Sequence, residues 1–160
     1  SAAMGAMARH FGADEEYWKA VGYLHDYDYE QFPEEHLHHT AEPLREAGVD
    51  EESIRAILSH GWEFCTDVKP ETDMEKSLFT VDELTGLVGA TARMRPGGLS
   101  DLEVSSVKKK FKDKRFAAKI DRAVIQQGCD MLGMDLADVI GLCIEGMRTE
   151  MDALGLGPKE

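Results

Sequence analysis

Residues 72–94, TDMEKSLFTVDELTGLVGATARM, predict the longest helix of the chain and thereby its fold class. Thr72 and Glu75 have the spacing of a capping box, so the helix is expected to begin just after Thr72. It should end before the turn that starts at Pro96. Asp82 falls among the apolar positions of this helix, which puts a carboxylate on the side that faces the core.

The remaining sequence also favours helices over strands. Asp14 and Asp50 are typical N-caps, and neither alternating apolar runs nor hairpin dipeptides occur. The sequence therefore predicts an all-α helical bundle in a single domain, residues 1–160. Its other helices are expected at 1–11, 15–25, 34–47, after Asp50, at 120–131 and at 135–154, with Ser100 and Glu103 repeating the capping-box spacing.

Composition is typical of a globular protein without a membrane segment. Of the 160 residues, 42% are hydrophobic and 31% are charged, and no run approaches the ~20 apolar residues of a membrane helix. The start, SAAMGAMARHF, lacks the features of a signal peptide. Three scattered cysteines (Cys65, Cys129 and Cys143) predict buried thiols in a reducing cytoplasm.

Charge excludes one class of partner and leaves one segment open to two interpretations. A formal charge of −13 argues against nucleic acid as a generic partner, because phosphates would be repelled. The segment 108–115, KKKFKDKR, instead carries six basic residues and one acid, Asp113. It is either a solvated helix face or a cationic patch that holds a phosphorylated ligand.

The stretch 24–36, LHDYDYEQFPEEH, concentrates titratable groups directly after an apolar helical stripe. Burying such groups is costly unless they are paired. A lone core histidine is usually only hydrogen-bonded, but His25, His60 and Asp82 all fall on inward helix faces. Three such residues indicate a bundle-core metal site of the kind that binds Zn, Mn, Fe, Co or Ni. Neighbours on a helix point about 100° apart, so His25 and Asp26 should lie where their helix ends.

Taken together, these motifs resemble the HD superfamily of metal-dependent phosphohydrolases, most closely its small bacterial HDIG-type members. The likeness rests on His25-Asp26, EEHLHHTAEPL (34–44), AILSHG (56–61) and FTVDELTG (79–86), and VKKKFKDKRFA (107–117) extends it along the chain. It implies a single HD domain of helical-bundle type, with the metal-site core at about 14–94 and a helical extension at about 99–155.

The resemblance also implies a set of metal ligands. His25 and Asp26 match the HD pair, Asp82 matches the distal aspartate, and His60 matches one of the histidines that bind a second metal. His36 matches the other, with His38 and His39 as rivals if the register slips. The sequence departs from the family's motif at two positions, with Thr40 in place of glycine and Tyr27 in place of isoleucine, and neither position is a ligand.

The activity implied is hydrolysis of a nucleotide-like or small phosphorylated ester by metal-activated water. One or two divalent ions (Mn, Fe, Co, Ni or Zn, with Mg also allowed) would be the cofactors, and Asp26 would be the catalytic residue that orients the water. Lys109, Lys110 and Lys112 are candidates for binding substrate phosphate. The superfamily also contains mixed-valence di-iron oxygenases, and a non-catalytic binding module is a third hypothesis. The sequence is also compatible with a homo-oligomer.

The family places one more histidine about one turn upstream of the 1–11 helix. Either this histidine precedes Ser1 on the same helix and lies outside this sequence, or the site lacks one ligand and binds its first metal weakly. His10 is expected at the solvent-facing end of its helix, so we do not assign it this role. Met4 and Met7 should pack near Trp18 or Val21.

Overall fold

The longest predicted helix is the central element of the fold. It spans Asp73–Arg93 in the computed structural model, which describes residues 1–159. The capping box at its start is formed: Thr72 accepts from the Glu75 backbone N–H, and the Glu75 carboxylate accepts from that of Thr72. This helix, α5, packs against five other helices, so a side chain at its middle has a well-supported position.

Within residues 1–159 the chain is all-helical and has no β-strand. Its other elements are α1 (Ala2–Phe11), α2 (Glu15–Leu24), a 3₁₀ helix (Pro33–Glu35), α3 (Ala41–Glu46), α4 (Glu51–Ser59), α6 (Val104–Lys112), α7 (Arg122–Leu132) and α8 (Leu136–Arg148). The predicted all-α single domain is confirmed. None of these helices is both long enough and apolar enough to cross a bilayer.

Most helix starts follow from local capping. Asp14 accepts from the Tyr17 backbone N–H at the start of α2, and Asp50 accepts from Ser53 at the start of α4. Ser100 is an exception. Its hydroxyl donates to the Gly97 carbonyl, and α6 begins only after Glu103, without a side-chain cap.

Two predicted helices were too long. The predicted 34–47 helix is wrong in its middle, because residues 36–40 form turns between the 3₁₀ helix and α3. The predicted 135–154 helix ends earlier, at Arg148, and turns follow up to Gly155, which has a φ of 64°.

The N-terminal helix packs against α2. Met4 and Met7 are fully buried in the hydrophobic core, to which Trp18 and Val21 also belong. The Met4 side chain lies against Gly22, where an added Cβ would be only 3.0 Å from Met4 Cγ. α1 therefore presses closely on the last turn of α2, just before His25.

Candidate metal centre

His25 and Asp26 lie at the end of α2, as their adjacency predicted. The helix ends at Leu24, and His25 is its C-cap. The Nδ1 atom of His25 donates to the Gly22 carbonyl at 2.6 Å, which directs Nε2 the other way. That Nε2 lies 3.2 Å from Asp26 Oδ2, so the helix end turns both side chains toward one point.

Two further ligand candidates come from α4 and α5. Asp82 Oδ1 lies 3.1 Å from His25 Nε2. His60 is the C-cap of α4, and its Nδ1 donates to the Ile57 carbonyl at 2.5 Å. His25, His60 and Asp82 together offer ligand atoms that all lie within 4.8 Å of one another.

His36 joins the group through a turn that Asp28 organises. The Asp28 side chain is 1% exposed and accepts from the backbone N–H groups of Leu37 and His39, each at 3.0 Å. It also accepts from His36 Nδ1 at 2.8 Å. Leu37 adopts a left-handed φ of 69°, so the chain cannot continue as a helix and His36 faces inward.

The structure distinguishes His36 from its two rivals. His36 Nε2 lies 3.3 Å from Asp26 Oδ1 and 3.3 Å from His60 Nε2, and these three residues form a second group within 4.8 Å. His38 is exposed. His39 instead pairs with Glu35 at 2.8 Å and stacks on Phe32.

The donor geometry of the five residues fits a metal. Each histidine uses Nδ1 in a hydrogen bond to a carbonyl or carboxylate and points Nε2 to the centre, the usual arrangement of metal-ligating imidazoles. Ligand atoms about 2.1 Å from an ion lie about 3.0–3.4 Å apart, and the closest donor pairs here are separated by 3.1 to 3.6 Å. Imidazole nitrogens with carboxylate oxygens suit Mn, Fe, Co, Ni or Zn.

Asp26 belongs to the second group and also faces His25 of the first. Its Oδ2 faces His25 at 3.2 Å, whereas its Oδ1 faces His36 at 3.3 Å and His60 at 3.6 Å. A carboxylate placed in this way can bridge two cations. It is also the most exposed of the five side chains, at 48%, so the centre is open to solvent on its side.

The carboxylates keep the centre negative. Burial raises the pKa of Asp26, but hydrogen bonds with His25 and His60 outweigh this and hold it well below its usual range. The same balance lowers the pKa of Asp82, with His25 as the main partner. Burial lowers the pKa of His25, whereas its bonds to the two aspartates raise it to about 10. Without a cation, a proton on His25 supplies the positive charge that the carboxylates favour.

The predicted substrate lysines lie outside this group. Lys109, Lys110 and Lys112 are in the last turn of α6, and the Lys110 ammonium lies 4.4 Å from the centre of the Phe116 ring. Within residues 1–159 no hydrogen bond or ion pair joins these three lysines to the five ligand candidates. Their role in substrate binding stays a prediction.

Sequence analysis missed the role of Asp28. The residue lies in the titratable stretch that first indicated a site, but the segment between it and His36 is made of turns and a 3₁₀ helix, so no regular spacing links the two side chains. Its burial would have been the informative signal, because a buried carboxylate needs several donors. His10, by contrast, is exposed at the C-terminal end of α1, as expected.

Comparisons of this chain with protein-family models, curated proteins and solved structures find no match. The likeness to HD phosphohydrolases therefore rests on the motifs quoted above. The fold and the cluster together define an all-α protein with a convergent His/Asp group.

Proposed function

We propose that this protein is a metal-dependent phosphohydrolase of the HD type, acting on a nucleotide-like or small phosphorylated ester. The position of Asp26 supports this most strongly, because its two oxygens face different imidazoles. A carboxylate between two cations is a recurring feature of two-metal phosphoester hydrolysis. Its 48% exposure, against 4% for the His60 side chain, leaves a path for a substrate phosphate.

The resemblance to HD phosphohydrolases implies two metal positions that share Asp26. His25, Asp26 and Asp82 would hold a first divalent ion, with His60 also within reach of His25 and Asp82, and Asp26, His36 and His60 would hold a second. Mn, Fe, Co, Ni or Zn suits these donors, and Mg²⁺ suits the carboxylates. When bound, such an ion lowers the pKa of a coordinated water toward 7 and offsets charge on phosphate oxygens.

The charge of the chain's own groups fits one or two divalent ions. The two aspartates are ionised, and the three imidazoles are neutral ligands once Nε2 is free. Two divalent ions would exceed the charge of these two carboxylates by about two, and the ionised Asp28 beside His36 reduces the excess to about one, which still favours a phosphate anion. Asp26 would accept a hydrogen bond from the attacking water and orient it, and His25 and Asp82 would keep this carboxylate in place.

Metal loading and phosphate release test the proposal together. The protein would be stripped with a chelator, reloaded separately with each of the six ions, and assayed for metal per chain and phosphate release from several phosphate esters. Asp26→Asn should lower the turnover about 10²–10⁴-fold, whereas Glu30→Gln, at an exposed position of the same loop, should not. Full metal loading without turnover of any ester would contradict the proposal.

One observation also supports a second candidate. Because His36 and His60 lie together at the second position, the same residues would serve a mixed-valence di-iron oxygenase. Bound iron with a mixed-valence EPR signal and oxygen uptake, in the absence of phosphate release, would favour that function. Failure to retain any of the six ions would favour a non-catalytic binding module.

A further inference from the structure

A single arginine organises the segment between α6 and α7. The guanidinium of Arg122 lies within hydrogen-bond distance of six backbone carbonyls, those of Lys110, Phe111, Asp113, Phe116, Ala117 and Ile120. A guanidinium keeps its charge at all relevant pH values and offers five N–H donors in a fixed plane. Arg122 therefore gathers the carbonyls of residues 110–120 on one side, and we call residues 113–121 the Arg122 loop.

This loop and the end of α6 carry positive charge that protein carboxylates do not neutralise. Their seven cationic residues are Lys108, Lys109, Lys110, Lys112, Lys114, Arg115 and Lys119. In the part of the chain that the structure describes, none of them forms an ion pair, although acidic residues outnumber basic ones by 31 to 18. Elsewhere, Arg9, Arg45 and Arg55 each contact two carboxylates. Several cations elsewhere in residues 1–159 also lack a carboxylate partner, so the feature that favours an external anion is the concentration of seven such charges in one segment.

A pocket in the loop gives such an anion a place to bind. It has a volume of about 350 Å³ and is lined by Lys114, Ala118, Lys119, Ile120, Asp121 and Arg122. The Asp121 carboxylate is already used, since it accepts from the backbone N–H groups of Ala123 and Val124 at the start of α7. Lys114 and Lys119 are exposed, so their ammonium groups are free to meet an anion.

The loop borders the helix that carries Asp82. The Ile120 side chain lies over Gly86, where an added Cβ would be 2.7 Å from Ile120 Cδ1. The Asp121 backbone N–H donates to Glu83 Oε2 at 2.9 Å. Gly86 is one helical turn beyond Asp82, about 6 Å along the axis, so the loop contacts α5 within one turn of this ligand candidate.

We propose that Lys114 and Lys119 of the Arg122 loop bind a second anionic group, phosphate or carboxylate, of a substrate whose scissile phosphate lies at the metal centre. This inference rests on the proposed function and narrows its substrate to phosphate esters with two anionic groups. It also assigns substrate binding to lysines of the loop and not to the three lysines at the end of α6 that the sequence suggested. Lysine binds phosphate as a point charge, and the one acid of the pocket lining, Asp121, is held in hydrogen bonds at the start of α7.

A matched pair of substrates tests the selectivity. Glucose 6-phosphate and glucose 1,6-bisphosphate would be compared with metal-loaded native protein and with the double variant Lys114→Gln/Lys119→Gln. The double variant should raise the KM for the bisphosphate about tenfold or more, leaving its kcat and the KM for the monophosphate unchanged. Lys108→Gln, which removes one positive charge outside the pocket, should change neither constant. The inference would be overturned if the double variant changed the KM of both substrates equally. It would also be overturned if Lys108→Gln changed the KM for the bisphosphate as much as the double variant does.

A binding measurement separates this inference from the proposed function. Titration calorimetry of inorganic pyrophosphate into chelator-treated protein measures anion binding to the loop without metal at the candidate centre. Binding should be lost in Lys114→Gln/Lys119→Gln and retained in Asp26→Asn. If no ester is hydrolysed but pyrophosphate binding depends on the two lysines, the anion site stands and the hydrolase proposal fails. No binding by the native protein would overturn the anion site.

Discussion

Asp28 is not a ligand candidate, but it orients one, His36. Its carboxylate binds the Nδ1 of His36 and also the backbone of the two following turn residues. One side chain thus fixes both the ring orientation and the turn that carries the ring. Because all three donors are satisfied by a group that is 1% exposed, removing its charge should affect stability and ligand geometry together.

We predict that Asp28→Asn weakens the second metal position more than the first. An amide can accept only through one atom, and its NH₂ would face a backbone N–H. The free energy of unfolding should fall by about 1–3 kcal/mol, and affinity for the second ion about 10–100-fold. Urea unfolding and equilibrium dialysis of metal measure these effects. Unchanged metal content would show that His36 is not held by Asp28, and Glu30→Gln provides the exposed control.

The raised pKa of His25 predicts that the stability of the chelator-treated protein depends on pH. Its pKa is raised to about 10 from an ordinary value of 6.5, so folding favours its protonated form. That contribution to stability is complete below about pH 6.5 and is lost as pH rises to about 10. Asp26 and Asp82 stay ionised throughout this range because their pKa values are lowered.

Urea unfolding at pH 6, 8 and 10 measures this loss. His25→Gln should remove most of the dependence, whereas His38→Gln, at an exposed position, should keep it. A native protein whose stability is flat across this range would contradict the coupling of His25 to the two aspartates.

Residue spacing identified the ligand candidates but could not choose among neighbouring histidines. His36, His38 and His39 all lie within four positions, and each satisfies a motif after a small shift in register. The choice depends on the left-handed turn at Leu37, which in turn depends on a carboxylate nine residues earlier. Such a non-local contact has no signature in local pattern.

At the scale of elements, helix ends were predictable where their caps are local. Asp14, Asp50 and Thr72 each accept from a backbone N–H three residues later, so sequence alone locates these starts. The predicted 34–47 helix is wrong because Asp28 takes two of its N–H groups from outside. Arg122 was also missed, since its partners are carbonyls, which every residue has.

We predict opposite effects of two alanine substitutions in α8. At Gly146 an added Cβ would lie 2.4 Å from the Ala2 carbonyl oxygen, which is α1 backbone and cannot move aside. Gly146→Ala should therefore lower the free energy of unfolding by about 1–3 kcal/mol. At Gly141 the nearest atom, Val104 Cγ2, is 3.7 Å away, so Gly141→Ala should be neutral or stabilise by up to about 1 kcal/mol.

Denaturant unfolding of both variants gives the comparison. The ratio of effects matters more than either value, because both changes add the same methyl group to the same helix. Equal effects of the two substitutions would mean that α1 and α8 do not cross as closely as described.

At the scale of the whole molecule, the candidate centre joins parts of the chain that are distant in sequence. The five residues come from the end of α2, the turn after the 3₁₀ helix, the end of α4 and the middle of α5. Asp82 has the firmest support, because α5 packs against five helices. Ions at the two proposed positions would together cross-link all four segments only in the folded state.

This cross-linking predicts that a suitable divalent ion stabilises the whole domain. At a free ion concentration of 100 times Kd the gain is about 2.7 kcal/mol, which for a domain of this size corresponds to a rise in Tm of about 5–10 °C. Thermal unfolding of chelator-treated protein with each of the six ions in turn measures it. Asp82→Asn should remove the part of the rise that comes from the first metal position, and circular dichroism would show that this variant is folded before metal is added. His38→Gln should retain the rise in full, since its ring lies outside the cluster. If none of the ions raises the Tm of the native protein, the His/Asp cluster is a hydrogen-bonded core feature, and both the hydrolase and the di-iron proposals fall together.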